Sequence, residues 1–424
     1  MIKPFLASWA LYFLLLFALP FELIYPNVAA ALLIQVGFVI LVALSFLATS
    51  GPSDRLHYLE GEITHARSLT NLALILSIAG LLALIFDKVA IQGIDYSQGL
   101  ASAREQWRQV GMRRSGFSSP FSVVGYMIGS SYFVAILLVT AQHHQFSRVE
   151  RMWVYFMAVV LGLANSAITG GRSSLLLLLA FIVSSFVVRR GVRLGSIVPN
   201  LIDRVLLAGA AVAVAGYVLL VTSQRAAFSD MATSLYVQQG TIFLGLPLKE
   251  WFIRTFDTSA LSSILAALVY TGSYLVHSFT TVCAMIDAPP EGGTIILNHP
   301  LRLLSRLGLT APPDETWFLA GRFPSLPGAL WYQFGTVGLV LGSMLLGAVS
   351  GLATRWSRLR PHALLPAGIE ACCCVTLLLS PLIFAGDLLA FPFVVLAVLI
   401  FGFLQMLLGW LDRASRMLGG AAAR

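Results

Sequence analysis

Tyr270, Tyr274, His277 and Thr281 fall at positions i, i+4, i+7 and i+11. On an α-helix that spacing puts two phenols, an imidazole and a hydroxyl on one face, with Leu261, Leu265, Leu268, Gly272, Leu275 and Phe279 opposite. A neutral imidazole near a membrane surface can take the proton from an attacking hydroxyl. The tyrosine rings suit stacking on a sugar, and equally suit an interfacial aromatic belt. A second group is the run Thr169-Gly170-Gly171-Arg172-Ser173-Ser174 between two apolar stretches. Its glycines permit a tight turn, and the backbone N–H groups, two hydroxyls and a guanidinium would together cradle a phosphate. An arginine snorkelling to the lipid headgroups explains the same residue.

The third group is cationic: Arg225, Lys249, Arg254, Arg302, Arg306 and Arg322. Arginine presents a planar fork of donors that matches phosphate oxygens, and Arg302 and Arg306 are four apart, on one helix face. Arg225 leads the group because it follows Val221-Thr222-Ser223-Gln224 at the end of an apolar run. Lys249 beside Glu250 reads as a surface ion pair. Asp314 and Glu315, in Pro312-Pro313-Asp314-Glu315-Thr316, offer a carboxylate base or an N-cap for the segment at Trp317.

Several motifs are missing. There is no phosphate-binding P-loop, no dinucleotide glycine turn, no His-x-x-x-His and no Asp-x-Asp after the first apolar run. Cys283 and the trio Cys372, Cys373 and Cys374 have no disulfide-framework or zinc-ligand spacing. No cofactor and no metal is expected.

The elements that must position these residues are membrane helices. The chain of 424 residues is 58% hydrophobic and 11% charged, with a mean hydropathy of +0.85, where soluble domains are about a quarter charged. Its net charge of +8 sits in arginines at the ends of apolar runs, which fits lipid headgroups and no nucleic acid. Ten runs are long enough to cross a bilayer: 5–24, 28–49, 69–86, 121–141, 152–168, 173–188, 205–222, 329–353, 363–385 and 388–411. The first is expected to be a retained helix, because no small-residue cleavage site follows it. An eleventh run, 259–283, is expected to be the amphipathic helix, lying in the interface or re-entering. The expected organisation is an N-terminal bundle over 1–222, a long loop or cap over 223–328, and C-terminal helices with a basic tail over 329–424.

Lys/Arg asymmetry places Lys3, Arg55, Arg67, Arg148, Arg151, Arg189, Arg190, Arg193, Arg204, Arg355, Arg358, Arg360 and the tail inside. The long loop then begins and ends outside. Arg104, Arg108, Arg113 and Arg114 also fall outside, against the rule, where an outward basic patch would meet an anionic headgroup. No repeat is visible, and the paired halves with broken helices that mark many transporters are not seen in the sequence.

With these features in place the chain resembles the bacterial oligosaccharide repeat-unit polymerases, the Wzy or O-antigen polymerase family. The matching features are Gly170-Gly171-Arg172-Ser173 before a leucine-rich span and the arginine-bearing loop after the third span. The single long outer loop, leaving through Phe334-Gly335-Thr336-Val337-Gly338, also fits. The resemblance implies a GT-C-type glycosyltransferase of the bacterial inner membrane, multi-pass, with its active site on the periplasmic side. It would transfer a growing glycan from undecaprenyl diphosphate to a lipid-linked repeat unit, working beside a flippase and a chain-length regulator. Under this implication Arg172, Arg225, Arg302 and Arg306 hold the diphosphates, with Arg254 and Arg322 as further substrate-binding cations. His277 or Glu315 would act as base, Arg225 would stabilise the leaving group, and Tyr270 and Tyr274 would line the sugar site. Two alternatives stay open: an O-antigen ligase that transfers the polymer to a lipid A core, and a lipid-linked oligosaccharide flippase or transporter.

Overall fold

The structure is a computed structural model. It describes residues 1–51, 63–113, 118–169, 173–188, 209, 212, 216–217, 219–227, 229, 231–258, 262–288, 295–296, 298–306, 308–311, 322–361 and 363–422. Among these the regular structure is helical, apart from one isolated antiparallel bridge, Phe21 to Leu248. The chain is a polytopic α-helical membrane protein. Among the described residues six helical stretches are long and apolar enough to cross a bilayer: Val28–Ser50, Ala66–Ile91, Pro120–Ala141, Arg148–Thr169, Leu326–Leu359 and Phe391–Ser415. Three shorter apolar helices join them: Ile2–Ala18, Ser174–Val188 and Leu364–Leu379. The expected span 205–222 falls largely outside the described residues.

In chain order the helices are α1 (Ile2–Ala18), α2 (Val28–Ser50), α3 (Ala66–Phe86), α4 (Leu100–Arg113), α5 (Pro120–Gly129), α6 (Tyr132–Ala141), α7 (Arg148–Thr169) and α8 (Ser173–Val188). After them come α9 (Thr233–Phe243), α10 (Glu250–Thr258), α11 (Ser262–Asp287), α12 (Asn298–Arg306), α13 (Leu326–Leu359), α14 (Leu364–Leu379) and α15 (Phe391–Ala422). Burial follows the bilayer. Leu33 and Leu44 of α2, Ile75 and Leu82 of α3, Leu341 and Leu345 of α13 and Phe403 of α15 are each at least 60% exposed. A water-soluble fold would hide such side chains, whereas lipid tails solvate them.

Inside, every residue from Tyr132 to Thr140 of α6 is buried, wrapped by α3, α7, α8 and α14. Close approach depends on glycine. A side chain at Gly347 or Gly351 would press into the backbone of α2 at Val42 or Phe46, and one at Gly80 into the backbone of Gly129.

Two spans expected to be continuous are broken. The run 121–141 is α5 and α6, interrupted at Ser130 and Ser131, both buried. Within α13, Gly335 takes φ 66° and ψ −166°, a conformation essentially reserved for glycine, so a nine-residue segment is set off from the rest. Another local departure follows α3, which continues into a π-helical turn, Asp87–Ile91.

Long-range contacts sort the connections into two ends. At one end, the Glu22 N–H donates to the Pro247 carbonyl at 2.8 Å, the Lys249 N–H to Pro20 at 2.9 Å, and the Leu326 N–H to Ser380 at 2.9 Å. At the other, His65 pairs with Asp412 at 2.8 Å and the Arg67 Nε–H donates to the Gln145 carbonyl at 2.8 Å. The segment 244–249 and the start of α13 therefore sit at the same end as the α1–α2 and α14–α15 connections.

The amphipathic helix expected over 259–283 is α11, shifted to Ser262–Asp287. It is not one of the six long apolar helices. Gly272 lies against Leu19, Thr280 Oγ1 donates to the Leu244 carbonyl at 2.8 Å, and Asp287 accepts from the Asn27 side chain. These contacts keep its second half at the α1–α2 connection.

Candidate functional site

α11 is held in the bundle by a buried polar chain. Tyr12 Oη and Ser278 Oγ are 2.9 Å apart, Gln35 Nε2 donates to Tyr12 Oη at 3.2 Å, and Ser278 Oγ donates to the Pro381 carbonyl at 2.7 Å. Apolar packing through Val276, Phe279, Val282 and Cys283, all fully buried, fixes the helix's rotation. Polar groups left unpaired in such a place would cost several kcal/mol, so these bonds also fix its register.

That rotation gathers an aromatic cluster. The Tyr270 and Tyr274 hydroxyls are 3.2 Å apart and their rings meet edge-on at 5.0 Å. Tyr236 of α9 packs edge-on to Tyr270 at 5.7 Å, and Gly240, one turn further along α9, leaves the space that the Tyr270 ring fills. Tyr270 is buried while Tyr274 is 37% exposed, so the pair runs from the core to the surface. Burial raises the Tyr270 phenol well above its usual range, and the neighbouring tyrosines add to the effect; it stays a neutral hydroxyl.

His277 sits at the floor of this cluster and is only 4% exposed. Its Nδ1 lies 2.8 Å from the Tyr274 carbonyl and therefore carries the proton it donates, which leaves Nε2 as the acceptor. That lone pair receives the Phe323 N–H at 3.3 Å. Burial pushes the imidazole down from 6.5 to about 4; the bond to Tyr274 works against the shift and the Arg322 charge adds to it. Arg322 itself holds its guanidinium over the Phe243 ring at 5.4 Å, with no acidic partner among the described residues. Phe323 packs edge-on to His277 at 6.3 Å.

Of the residues singled out in the sequence, the fold therefore unites Tyr270, Tyr274, His277 and Arg322. It separates others. Arg254 is 77% exposed and bonded to Glu250 at 2.5 Å, one helical turn away, so Glu250 pairs with Arg254 in place of the pairing with Lys249 that adjacency suggested. Arg302 belongs to α12, which packs on the turn Ala385–Asp387, and Arg306 closes the same helix. Arg225 lies in the helical residues 219–227. Arg172 and Glu315 lie outside the described residues.

No family model, no curated protein and no solved structure matches the chain. The site is thus defined by its own geometry: a cation with no acidic partner among the described residues, edge-on phenols and a neutral imidazole at one end of a membrane bundle. Among the described residues no three His, Cys, Asp or Glu side chains converge as metal ligands would.

Sequence inspection missed Tyr236, Gly240, Phe243 and Phe323, which carry no local signal and matter only through α11. It also missed how the arginine-bearing loop is fastened. Asp87, fully buried, accepts from Ser118, Ser119 and Gln92 at 2.6–2.8 Å, stapling both ends of the loop that contains α4. Lys88 lies over the Trp107 ring at 4.8 Å. Within that loop Tyr96 Oη donates to the Ile168 carbonyl at 2.8 Å, two residues before Gly170.

Proposed function

We propose that this chain is a membrane glycosyltransferase that polymerises undecaprenyl-diphosphate-linked oligosaccharide repeat units at the periplasmic face of a bacterial inner membrane. The observation that carries the reading is the convergence of Arg322, Tyr270, Tyr274 and neutral His277 where the long loop re-enters the bundle. A guanidinium with no acidic partner among the described residues suits a diphosphate, and phenol rings suit sugars.

In the reaction a hydroxyl of the acceptor sugar attacks the anomeric carbon of the donor. The new glycosidic C–O bond forms as the bond from that carbon to the diphosphate breaks, and the diphosphate leaves with the electron pair. Arg322, with Arg172 and Arg225 as further cations, stabilises the charge growing on the leaving group. The hydroxyl proton passes to His277 Nε2 once the Phe323 amide has moved off it. With a pKa of about 4 the imidazole is a weak base in the empty site; a diphosphate placed beside it favours the protonated form and raises its basicity. The Tyr96 contact brings the arginine-bearing loop against the end of α7.

A lipid-linked oligosaccharide transporter is the second reading, favoured by the helix breaks at Ser130–Ser131 and Gly335. A ligase would share the donor chemistry. The test is a chromosomal deletion complemented with wild type or with Arg322→Ala, read on a gel of surface polysaccharide. The proposal expects loss of the long-chain ladder with survival of lipid capped by a single repeat unit. Loss of the single-unit product as well would point to ligase or transport, and an unchanged ladder in the deletion would exclude this glycan as the product.

A further inference from the structure

At the far end of α13 from the His277 cluster, a cleft of 520 Å³ opens between α13 and α14. Its walls are Val349, Leu352, Ala353, Trp356 and Leu359 of α13 and Ile369 of α14, with Arg355 as the one charged residue lining it. Val349, Leu352, Trp356 and Leu359 recur at three- and four-residue steps and form one stripe. Val349, Leu352 and Leu359 are 44–57% exposed, so the wall faces out of the bundle. The Arg355 stem lies beside Gly51, at the end of α2, and the residue is exposed. Arg358 and Arg360 follow within the next turn and a half. None of the three arginines has an acidic partner among the described residues.

We infer that this cleft is a binding site for an anionic phospholipid of the bilayer, with an acyl chain against the Leu352–Leu359 stripe and the headgroup phosphate on Arg355. The volume falls within the range of about 300–1,000 Å³ typical of ligand clefts. The apolar wall excludes a purely ionic ligand, and Arg355 in the wall, with Arg358 and Arg360 close behind it in the chain, selects a negative headgroup over a zwitterionic one. Trp356 adds an indole of the kind that settles at the headgroup level. The positive-inside rule accounts for the arginines being at this end, but not for the cleft that Arg355 lines. The inference depends only on the chain lying in a membrane, so it stands or falls separately from the proposed reaction.

The experiment is native mass spectrometry of the full chain in a neutral detergent, titrated with phosphatidylglycerol and with phosphatidylcholine carrying the same acyl chains. Wild type should bind phosphatidylglycerol at least about tenfold more tightly, with inorganic phosphate unable to displace it. Arg355→Gln should lose about tenfold in phosphatidylglycerol affinity while phosphatidylcholine binding stays unchanged, as loss of one charge-assisted contact requires. Leu352→Trp, which fills the cleft from an exposed position, should weaken both lipids. Equal affinity for the two lipids in wild type would overturn the inference, as would wild-type phosphatidylglycerol binding in Arg355→Gln. Unchanged lipid binding in Leu352→Trp, or displacement by inorganic phosphate, would overturn it too.

Discussion

Acidification should release the segment that His277 holds. The unfolded chain takes up this proton near 6.5, the folded site only near 4. Between those values the open form binds more protons than the closed one, so the stability contributed by neutral His277 is complete above 6.5. It declines as pH falls and is lost by about 4. The interval corresponds to about 3 kcal/mol, or roughly a hundredfold in the closed-to-open ratio. The structure says where the opening begins. A second proton on the imidazole must sit on Nε2, which then faces the Phe323 N–H as donor against donor and loses the 3.3 Å bond. Arg322 sits one residue away and repels the new charge. Amide hydrogen exchange of a peptide spanning Phe323, corrected for intrinsic rate, should therefore show protection falling up to about a hundredfold from pH 6.5 to 4. His277→Ala should show low protection that does not vary with pH. Flat protection in wild type, or the same pH-dependent loss in His277→Ala, would refute the reasoning.

Three further outcomes follow from individual residues. Arg172→Lys should abolish long-chain polymer while leaving expression intact, because a point charge does not replace a planar fork; full-length chains from this variant would remove Arg172 from the site. Gly335→Ala should lower stability by about 1–3 kcal/mol in thermal unfolding in detergent. A methyl group there meets nothing within 4 Å, so the cost is the backbone's alone, and an unchanged melting temperature would mean the break is not required. Tyr12→Phe should cost about 1–3 kcal/mol, because it strands the buried Gln35 amide, and Ser278→Ala less. A double-mutant cycle should find coupling of about 0.6 kcal/mol between the two, and zero coupling would break the proposed anchor of α11.

The face of α11 was legible because helical periodicity is local. Tyr270, Tyr274 and His277 line up by counting residues, and the structure places the three together. Which cation joins them was not legible. Among the six cations of the long loop the sequence favoured Arg225, and Arg322 stands out only because Phe323 beside it donates to His277, 46 residues earlier. Arg254, by contrast, was decided by a carboxylate one turn away on its own helix. The interruption at Ser130–Ser131 was hidden as well. An apolar run has the same hydropathy whether or not its helix is continuous, and the interruption follows Gly129, which packs closely on Gly80 of a distant helix.

The sequence by itself determined the membrane class, since apolar runs of bilayer length need no long-range information. It likewise determined most helix positions and the polar face of the amphipathic helix. Tertiary structure decided the rotation and seating of that helix, the tautomer and depressed basicity of His277, the choice of Arg322 and the two broken spans. Each of these depends on which distant atoms are brought into contact and removed from water. Burial, hydrogen bonding and charge pairing act across space, while the patterns visible along the chain report only on neighbours within a few turns.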